Sequence, residues 1–339
     1  MYVASHDSSD ADRLRAGDYV CGSSHHQEVI NAALQADRGE VVLLKGSYDD
    51  LRKLDGQPYS ILMNYDYATL RLEAGALLRL ADDQKCNVIQ MLLPGGKGMR
   101  VYGRGVIDPN AAGNPSAGAA TFDWLDMCGV KIGGPACTSM IDCGVDDIDV
   151  QDVTGIGVYL FGIQPHCRGV TFGGAVHDQA ELCTGEGGDI TGCKSYLTNG
   201  KLIGHGVGVE AHSEGKILNN STIIGTGAVV TNAVHRMASC YGTVISGNTV
   251  RNSGGTVDVG IESSGYETVI VGNRLRGRPS NQMKIIANGA TNIGMNALHR
   301  VDVYRGAGEP SWPIRFDNNQ SNAVGIGPNI SIGYNGQTP

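Results

Sequence analysis

Short apolar runs separated by glycine, asparagine and aspartate dominate the chain from residue 60 onward. Examples lie at 98–110, 129–134, 156–163 and 168–174. Runs of this length between turn residues are typical of β-strands, and no long helical periodicity accompanies them. The chain contains 50 glycines, about twice the ordinary share, which fits a fold with many tight turns.

The turns recur at a nearly constant spacing. Five short strands end at Cys193, Asn220, Asn248, Asn273 and Asn296, which are 27, 28, 25 and 23 residues apart. A strand-bearing period of this length indicates the stacked coils of a β-solenoid, and the leucine spacing of leucine-rich repeats is missing. Asparagine tolerates turn conformations, and amides in successive coils can bond to one another. We therefore predict that these asparagines form a structural ladder.

A helix is predicted ahead of the strands. Ser24 and Gln27 have the spacing of a capping box, and apolar residues follow at helical spacing within 29–34. Gly39 is a natural stop signal. The apolar run 41–44 then predicts a buried strand.

Three parts of the chain follow from these patterns. We predict an N-terminal arm and capping helix at 1–40, of which the polar residues 1–20 are irregular. The parallel β-helix itself is predicted at 41–296. Residues 297–339 break the repeat and include Trp312, so we predict a C-terminal coil and cap, as terminal coils of solenoids are usually atypical.

Composition excludes several classes of protein. The net charge of −8 argues against nucleic acid as a partner, because such proteins need a basic face. The nine cysteines include no C-x-x-C pair, so we predict buried free thiols and neither a zinc site nor a complete disulfide framework. No stretch of 18 apolar residues exists, so no membrane span is predicted. The N-terminus lacks an apolar signal core, and we expect an extracellular or virion-associated protein without a signal peptide in this chain.

The N-terminal motifs carry a resemblance to a known superfamily. The stretch 17–49, with LLKGSY at 43–48, resembles the entry module of right-handed parallel β-helix proteins of the pectate-lyase-like type. The segment 103–110 is similar to the G-x-G-x-I-D-G-N segment of that superfamily, with Pro109 where glycine is usual. Polysaccharide lyases, mannuronan epimerases and phage tail-spike depolymerases share this repeat style.

The resemblance covers roughly residues 18–335 and implies a fold class. We expect an all-β, right-handed parallel β-helix with a short N-terminal capping helix. It also implies a polysaccharide or oligosaccharide as the partner and makes a homotrimer a candidate assembly. Fold does not by itself fix the reaction.

A candidate site follows from aligning the coils on their asparagine turns. Outward residues of neighbouring coils lie about 4.8 Å apart, and side chains alternate inward and outward along each strand. The alignment places five residues inside: Val207, Val209, Ala211, Val259 and Ile261. The outward residues form a band of Glu210, His212, Asp258, Glu262 and Lys284, with either His235 or Arg236 beside them.

This band has the parts for acid–base chemistry on a sugar ring. β-Elimination from a uronate needs a cation at the carboxylate and groups that move protons. Arg236 or Lys284 can neutralise the carboxylate, and His212, His235 or Tyr241 can move protons. The catalytic candidates are Glu210, His212, His235, Arg236 and Glu262, and the substrate-binding candidates are Tyr241, Asp258 and Lys284. The competing interpretation is an ordinary solvated polar face.

Two further patterns resemble known sites less closely. Gly204-His205-Gly206 and the Asp146-Asp147 pair are similar to motifs of polygalacturonases, but the N-T-D and R-I-K motifs of that family have no counterpart. We therefore interpret His205 as a turn residue. The Gly-, Ala- and Pro-rich segment 108–120 is predicted to project from the solenoid and to wall one side of a groove.

Calcium is a candidate ligand, and no cofactor is firmly implied. The acidic residues that can supply oxygen ligands are Asp147, Asp149, Asp152, Glu186 and Asp189. Neither group follows a defined calcium loop, so a solvated acidic face is the simpler interpretation.

Three functions remain open from the sequence. The leading hypothesis is an enzyme that cleaves an acidic polysaccharide by β-elimination or epimerises it at C5. The first alternative is a glycoside hydrolase of the polygalacturonase type, in which Glu210 and Glu262 supply the two carboxylates. The second alternative is a non-catalytic glycan-binding or structural virion spike or adhesin.

Overall fold

Stacked parallel strands dominate the structure, a computed structural model that describes residues 1–117, 123–174, 177–197, 201–202, 204–210, 212–277, 281–287, 291–294, 296, 300–305, 314–317 and 323–326. The chain divides into two units, Met1–Gln179 and Ala180–Pro339. Strand pairs within each unit are parallel and in register, so residues one coil apart become neighbours. The fold is an all-β parallel solenoid of the right-handed β-helix type, as the sequence predicts.

The described residues of the first unit form two α-helices, a 3₁₀ turn and fifteen complete strands. The helices are α1 (Asp10–Ala16) and α2 (His26–Ala36), and the 3₁₀ turn is Asp123–Asp126. The strands are β1 (Tyr2–Val3), β2 (Glu40–Leu43), β3 (Gly46–Leu51), β4 (Tyr59–Met63), β5 (Thr69–Leu72), β6 (Ala76–Leu80), β7 (Asn87–Met91), β8 (Arg100–Gly103), β9 (Val106–Asp108), β10 (Val130–Ile132), β11 (Gly144–Asp146), β12 (Asp149–Gln151), β13 (Ile156–Ile163), β14 (His166–Arg168) and β15 (Thr171–Gly173).

The second unit continues with strands alone among its described residues. The boundary between the units falls within β16 (Asp178–Thr191). The later strands are β17 (Lys194–Leu197), β18 (Lys201–Leu202), β19 (Val207–Glu210), β20 (His212–Leu218), β21 (Ser221–Ile224), β22 (Val229–Tyr241), β23 (Val244–Ser246), β24 (Thr249–Asn252), β25 (Thr256–Tyr266), β26 (Thr268–Val271), β27 (Arg274–Arg276), β28 (Asn281–Ala287), β29 (Thr291–Gly294), β30 (Arg300–Arg305), β31 (Ile314–Asp317) and β32 (Ala323–Ile326).

The core of each unit is a set of in-register apolar stacks. In the first unit Ile61, Ile89, Val130 and Val158 occupy successive coils of one stack, and all four are fully buried. Because branched side chains pack well on a pleated surface, each such stack removes apolar area from water at every coil. This repetition explains how a chain with few large aromatics builds a core.

The N-terminal helix exists, but its start differs from the prediction. α2 begins at His26, and its N-cap is His25 in a left-handed conformation with no side-chain cap. The capping box of Ser24 and Gln27 is therefore wrong, because the Gln27 side chain instead accepts a hydrogen bond from the Arg52 backbone N–H at 3.0 Å. The helix packs on the first coil through Asn31, which bonds the Ser60 carbonyl and the Leu62 N–H.

The first 20 residues are more ordered than predicted. Strand β1 pairs with β2, and α1 has Ser9 as its N-cap, whose side chain accepts from the Asp12 N–H. The polar sequence of α1 misleads because only Ala16 of this helix is buried. The division at residues 40 and 297 stays a prediction, and most of 297–339, including Trp312, lies outside the described residues.

The asparagine ladder is present in the second unit. The Asn220 side chain donates to Asn248 Oδ1 at 3.0 Å, Asn248 donates to Asn273 at 2.9 Å, and Asn273 donates to Asn296 at 2.9 Å. Each amide also bonds a backbone carbonyl one coil earlier. At 0–1% exposure these polar groups need such partners, so the predicted structural role is confirmed.

None of the nine cysteines forms a disulfide, and eight of them are buried. Burial raises the pKa of Cys21 and Cys86 to about 12 and that of Cys143 to about 11. These thiols therefore behave as apolar core groups, as predicted. No helix in the described part of the chain is long and apolar enough to span a membrane.

Candidate functional site

Three neighbouring strands of the second unit carry the predicted band. In β19, β22 and β25, the positions of Val207, His235 and Ile261 are in register and point into the core. The next positions along, Gly208, Arg236 and Glu262, are in register on the outer face. The predicted interior positions Val209 and Val259 are buried as well.

Arg236 is the centre of a compact cluster, which we call the Arg236 cluster (His205, Glu210, Arg236 and Glu262). Its Nη1 lies 2.8 Å from Glu210 Oε1 and 2.7 Å from His205 Nε2. Its Nε lies 3.9 Å from Glu262 Oε1. Because arginine only donates, the contact with His205 requires an unprotonated Nε2 on that ring.

The cluster is open to solvent but its histidine is not. The side chains of Arg236, Glu210 and Glu262 are 32%, 35% and 22% exposed, whereas that of His205 is 6% exposed. Ion pairs this exposed contribute little to stability, typically about 1 kcal/mol or less. The arrangement therefore positions charged groups at the surface more than it holds the fold together.

Gly208 lies beside the histidine, and an added side-chain carbon there would meet its neighbours at ordinary van der Waals distance. A Cβ on Gly208 would lie 3.4 Å from His205 Cδ2 and 3.7 Å from Glu181 Cγ. Glu181 occupies the matching position one coil earlier, on β16, and is 7% exposed. The sequence analysis treated His205 as a turn residue and missed Glu181. Extending the coil spacing one coil toward the N-terminus from Gly208 would have found it.

Apart from His235, the sequence-predicted residues divide into three groups. Glu210, Arg236 and Glu262 come together in the Arg236 cluster. Tyr241 lies outside the cluster, at the end of β22, and is 56% exposed. The side chains of His212, Asp258 and Lys284 lie outside the described residues, although the backbone of Lys284 is in register with Glu262.

The placement of His235 in the band requires correction. His235 points inward and is fully buried, because the alternation of β22 puts it between the core positions of Val207 and Ile261. Burial lowers its pKa to about 4. The choice left open between His235 and Arg236 is therefore decided in favour of Arg236.

The first unit contains a second cluster of similar composition, which we call the Arg100 cluster (Arg100, Asp142, Asp146 and His166). Arg100 Nη1 lies 3.0 Å from His166 Nδ1, and Arg100 Nη2 lies 3.0 Å from Asp142 Oδ2. His166 Nε2 lies 3.4 Å from Asp146 Oδ2. The sequence analysis noted only Asp146 here, because it applied the coil spacing to later coils alone.

His166 is fully buried over a glycine. Arg100, Gly144 and His166 are in register on β8, β11 and β14. A Cβ on Gly144 would lie 1.9 Å from His166 Nε2, so no other residue fits there. Arg100 and Asp146 are about a quarter exposed, and Asp142 is the most open member.

In the first unit the outer face of β7, β10 and β13, the first strand of each coil, is covered. Lys131, on β10, is 7% exposed and donates to Asp126 Oδ1 at 2.8 Å and to the Leu125 carbonyl at 3.0 Å. Its register neighbours Gln90 and Tyr159 are also buried. This face therefore lacks the access that the equivalent strands have around Arg236.

The predicted loop is placed differently from expectation, whereas the acidic residues Asp147, Asp149 and Asp152 are exposed, as on a solvated face. In the described part of the loop, 108–117, Asn114 accepts from the N–H groups of Gln84 and Lys85, so this part packs on a neighbouring turn and does not project. Asp147 and Asp152 adopt left-handed turns with φ of 55° and 53°. No group of three or more acidic, histidine or cysteine side chains in the described ranges is arranged to hold a metal ion.

Comparisons with solved structures find the same fold. The A-modules of two Azotobacter vinelandii mannuronan C-5 epimerases match: that of AlgE6 with a TM-score of 0.56 and 16% identity, covering 94% of this chain and 96% of the module, and that of AlgE4 with 0.55 and 13%, covering 92% and 97%. The tailspike protein of E. coli bacteriophage HK620, solved with a pentasaccharide, matches with 0.55 and 12%, covering 92% and 65%.

These identities establish the fold alone, a right-handed parallel β-helix of the predicted type. No protein-family model and no curated protein matches the sequence.

Proposed function

We propose that this chain is an enzyme that acts on an acidic polysaccharide at the Arg236 cluster. The reaction is abstraction of the C5 proton from a uronate unit, followed by β-elimination or by epimerisation. The observation that carries the proposal is a partly exposed arginine held between two carboxylates with a histidine against it. The fold shared with mannuronan epimerase modules and with a tailspike solved with an oligosaccharide supports the substrate class.

Arg236 is the group that would neutralise the uronate carboxylate. Its Nη1 is engaged by Glu210 and His205, and within the described residues Nη2 donates no hydrogen bond. The planar guanidinium can therefore still accept a carboxylate from the solvent side. Loss of the C5 proton moves negative charge onto that carboxylate, so a fixed cation there stabilises the transition state more than the bound substrate.

Glu210 is the group that would take the C5 proton. It is the most exposed carboxylate of the cluster, and it lies 2.8 Å from the arginine that would hold the substrate. A base must be within hydrogen-bond reach of its proton, and a shared arginine brings base and substrate carboxylate to one place. His205 Nε2 accepts from Arg236 Nη1 at 2.7 Å and would then hold Arg236 in position.

A second candidate function is hydrolysis, which the two glutamates favour. Glu210 and Glu262 stand on strands two coils apart, and the guanidinium group of Arg236 lies 2.8 Å from one carboxylate and 3.9 Å from the other. Inverting glycoside hydrolases separate their two carboxyl groups by about 6.5–9.5 Å. The products distinguish the two functions, because hydrolysis creates reducing ends without an unsaturated uronate.

The test is incubation with alginate, pectate and bacterial exopolysaccharides, followed by absorbance, mass spectrometry and NMR. β-Elimination gives ultraviolet absorbance from an unsaturated uronate, and epimerisation changes the NMR signals at C5 without cleavage. We expect R236Q and E210Q to lose activity by about a hundredfold or more. The matched control is R100Q, which removes the equivalent arginine from the other cluster.

Two outcomes contradict the proposal. Activity that survives in R236Q but is lost in R100Q would place the chemistry at the Arg100 cluster. Binding of a polysaccharide by the unaltered protein without any product would identify a non-catalytic binding protein.

A further inference from the structure

The outer face of β25 continues beyond the Arg236 cluster toward an aromatic residue. Glu262, Ser264 and Tyr266 alternate with the buried Ser263 and Gly265, so these three share one face. Tyr266 lies four residues from Glu262, about 13 Å along an extended strand. A substrate held at Arg236 can therefore extend over this distance across the same surface.

The neighbouring strand brings a second tyrosine to the same place. Tyr241 is in register with Tyr266, and a register shift between Ala238 and Tyr241 changes the phase of β22. Cys240 is consequently buried, whereas Tyr241 points outward. β-Bulges commonly re-aim a side chain in this way.

The two rings form a parallel stack at the surface. Their centroids are 4.6 Å apart and their planes differ by 10°. Tyr241 is nevertheless 56% exposed, which is high for so large a side chain. The backbone register fixes both rings, so little conformational freedom is lost when a ligand contacts them.

Small residues separate the tyrosines from the charged cluster. Ala238 and Ser264 are in register with each other between the two ends. Glu210 occupies the matching position on β19. On β22 and β25 the outer face therefore has charged side chains at one end, small side chains in the middle and aromatic side chains at the other end.

We propose that Tyr241 and Tyr266 form a stacking platform for a sugar ring of the same acidic chain whose uronate binds at Arg236. The substrate class rests on the proposed function. The platform offers apolar ring surface to the C–H groups of a pyranose, and the phenol hydroxyls offer hydrogen bonds to its hydroxyls. It is a binding subsite and takes no part in proton transfer.

The test is isothermal titration with short oligomers of mannuronate and of galacturonate, in an E210Q background so that the oligomer is not consumed. We expect Y241A and Y266A each to weaken binding by about three- to tenfold, as loss of an aromatic contact does. Y241F keeps the ring and should bind within about twofold of the parent. The matched control is Y196A, which removes an exposed tyrosine from β17 in a different sheet of the same unit.

The outcomes separate this inference from the proposed function. If Y241A and Y266A bind as well as Y196A while R236Q binds weakly, the platform is contradicted and the proposed function stands. If the tyrosine variants lose affinity but the unaltered protein makes no product from any polysaccharide, the platform stands and the enzymatic function is contradicted. If neither oligomer binds, the platform is contradicted, and the proposed function is decided by product formation from the polysaccharides alone.

Discussion

The Arg100 cluster of the first unit and the Arg236 cluster of the second have nearly the same composition but different surroundings. Each places an arginine between two carboxylates with a histidine ring nitrogen at hydrogen-bond distance. In the first unit the cluster lies on β8, β11 and β14, each of which is the second strand of its coil. The first strands of the same unit, β7, β10 and β13, have their outer face covered around Lys131. In the second unit the cluster lies on the outer face of the first strand of each coil, and this face is exposed to solvent at Arg236.

The difference shows that composition alone does not identify a site in a solenoid. A repeating backbone can place the same four residue types at many corners, and the same ion pairs then serve packing in one place and recognition in another. The two clusters differ in how closely the histidine ring packs against the neighbouring glycine. His166 fills the space over Gly144, whereas His205 only touches the space over Gly208.

The largest expected effect comes from substituting these two glycines. In G144A the new Cβ would lie 1.9 Å from His166 Nε2, so the ring must leave its buried position. We expect a loss of about 4 kcal/mol or more in the free energy of unfolding, or failure to fold. In G208A the nearest contact is 3.4 Å, and we expect a loss of about 1 kcal/mol or less. Urea unfolding of both variants measures the difference.

Equal losses in G144A and G208A would contradict this comparison. They would mean that the two histidines are seated equally tightly and that the Arg236 cluster is as structural as the Arg100 cluster. A G208A variant that keeps its stability but loses activity would instead support a functional role for the space around His205.

The second expected effect concerns the corner that follows the second strand of each coil. In the first unit this corner is apolar, with Ile148 and Val170 buried, whereas the second unit carries the asparagine ladder there. N248V introduces the residue type of the first unit into the ladder. We expect it to cost about 3–4 kcal/mol, because the backbone N–H and the side-chain amide of Asn220 lose Asn248 Oδ1 as an acceptor. Asn273 Oδ1 and the Ile217 carbonyl also lose the Asn248 amide as a donor.

The control for the ladder is N219G, at the exposed neighbouring turn position with φ of 55°. Glycine adopts this conformation freely, and Gly247 and Gly272 occupy the same turn position in later coils, so little change is expected. Thermal or urea unfolding checks both variants. A loss below about 1 kcal/mol in N248V would show that the amide column is not a cooperative unit.

Sequence reasoning reached the fold and three of the four residues of the Arg236 cluster for a definite physical reason. The ladder asparagines and the inward valines repeat with the coil, so a period along the sequence becomes a column in space. Glu210, Arg236 and Glu262 followed from that column. His205 and Glu181 did not, because one precedes its strand and the other lies one coil before the first asparagine turn used for alignment.

Other misses arose where the backbone departs from regular alternation. The exposure of Tyr241 depends on a register shift in β22, and no residue in that strand signals a bulge in advance. The Arg100 cluster was missed because its coils have no asparagine turn to align. The capping box failed because Gln27 bonds the chain at Arg52, 25 residues away, which local sequence cannot reveal.

The smallest expected effect concerns the two histidines that are fully buried, His166 and His235. His166 lies against Arg100 and two aspartates, whereas His235 has no hydrogen-bond partner for either ring nitrogen in the described part of the chain. Burial lowers the pKa of His235 from 6.5 to about 4. As the pH falls, His235 therefore gains a proton near pH 6.5 in the unfolded chain but only near pH 4 in the folded chain. Stability should fall by about 2–3 kcal/mol as the pH is lowered through this window.

Replacing His235 by leucine tests whether this isolated histidine, rather than the paired one, makes the protein sensitive to acid. H235L keeps an apolar group between the core positions of Val207 and Ile261 and cannot bind a proton. Urea unfolding between pH 7 and pH 4 should show that its advantage over the unaltered protein grows as the pH falls. The control is H6Q, at an exposed histidine, whose pH profile should match that of the unaltered protein. Parallel profiles for H235L and the unaltered protein would mean that the acid-sensitive group lies elsewhere in the chain.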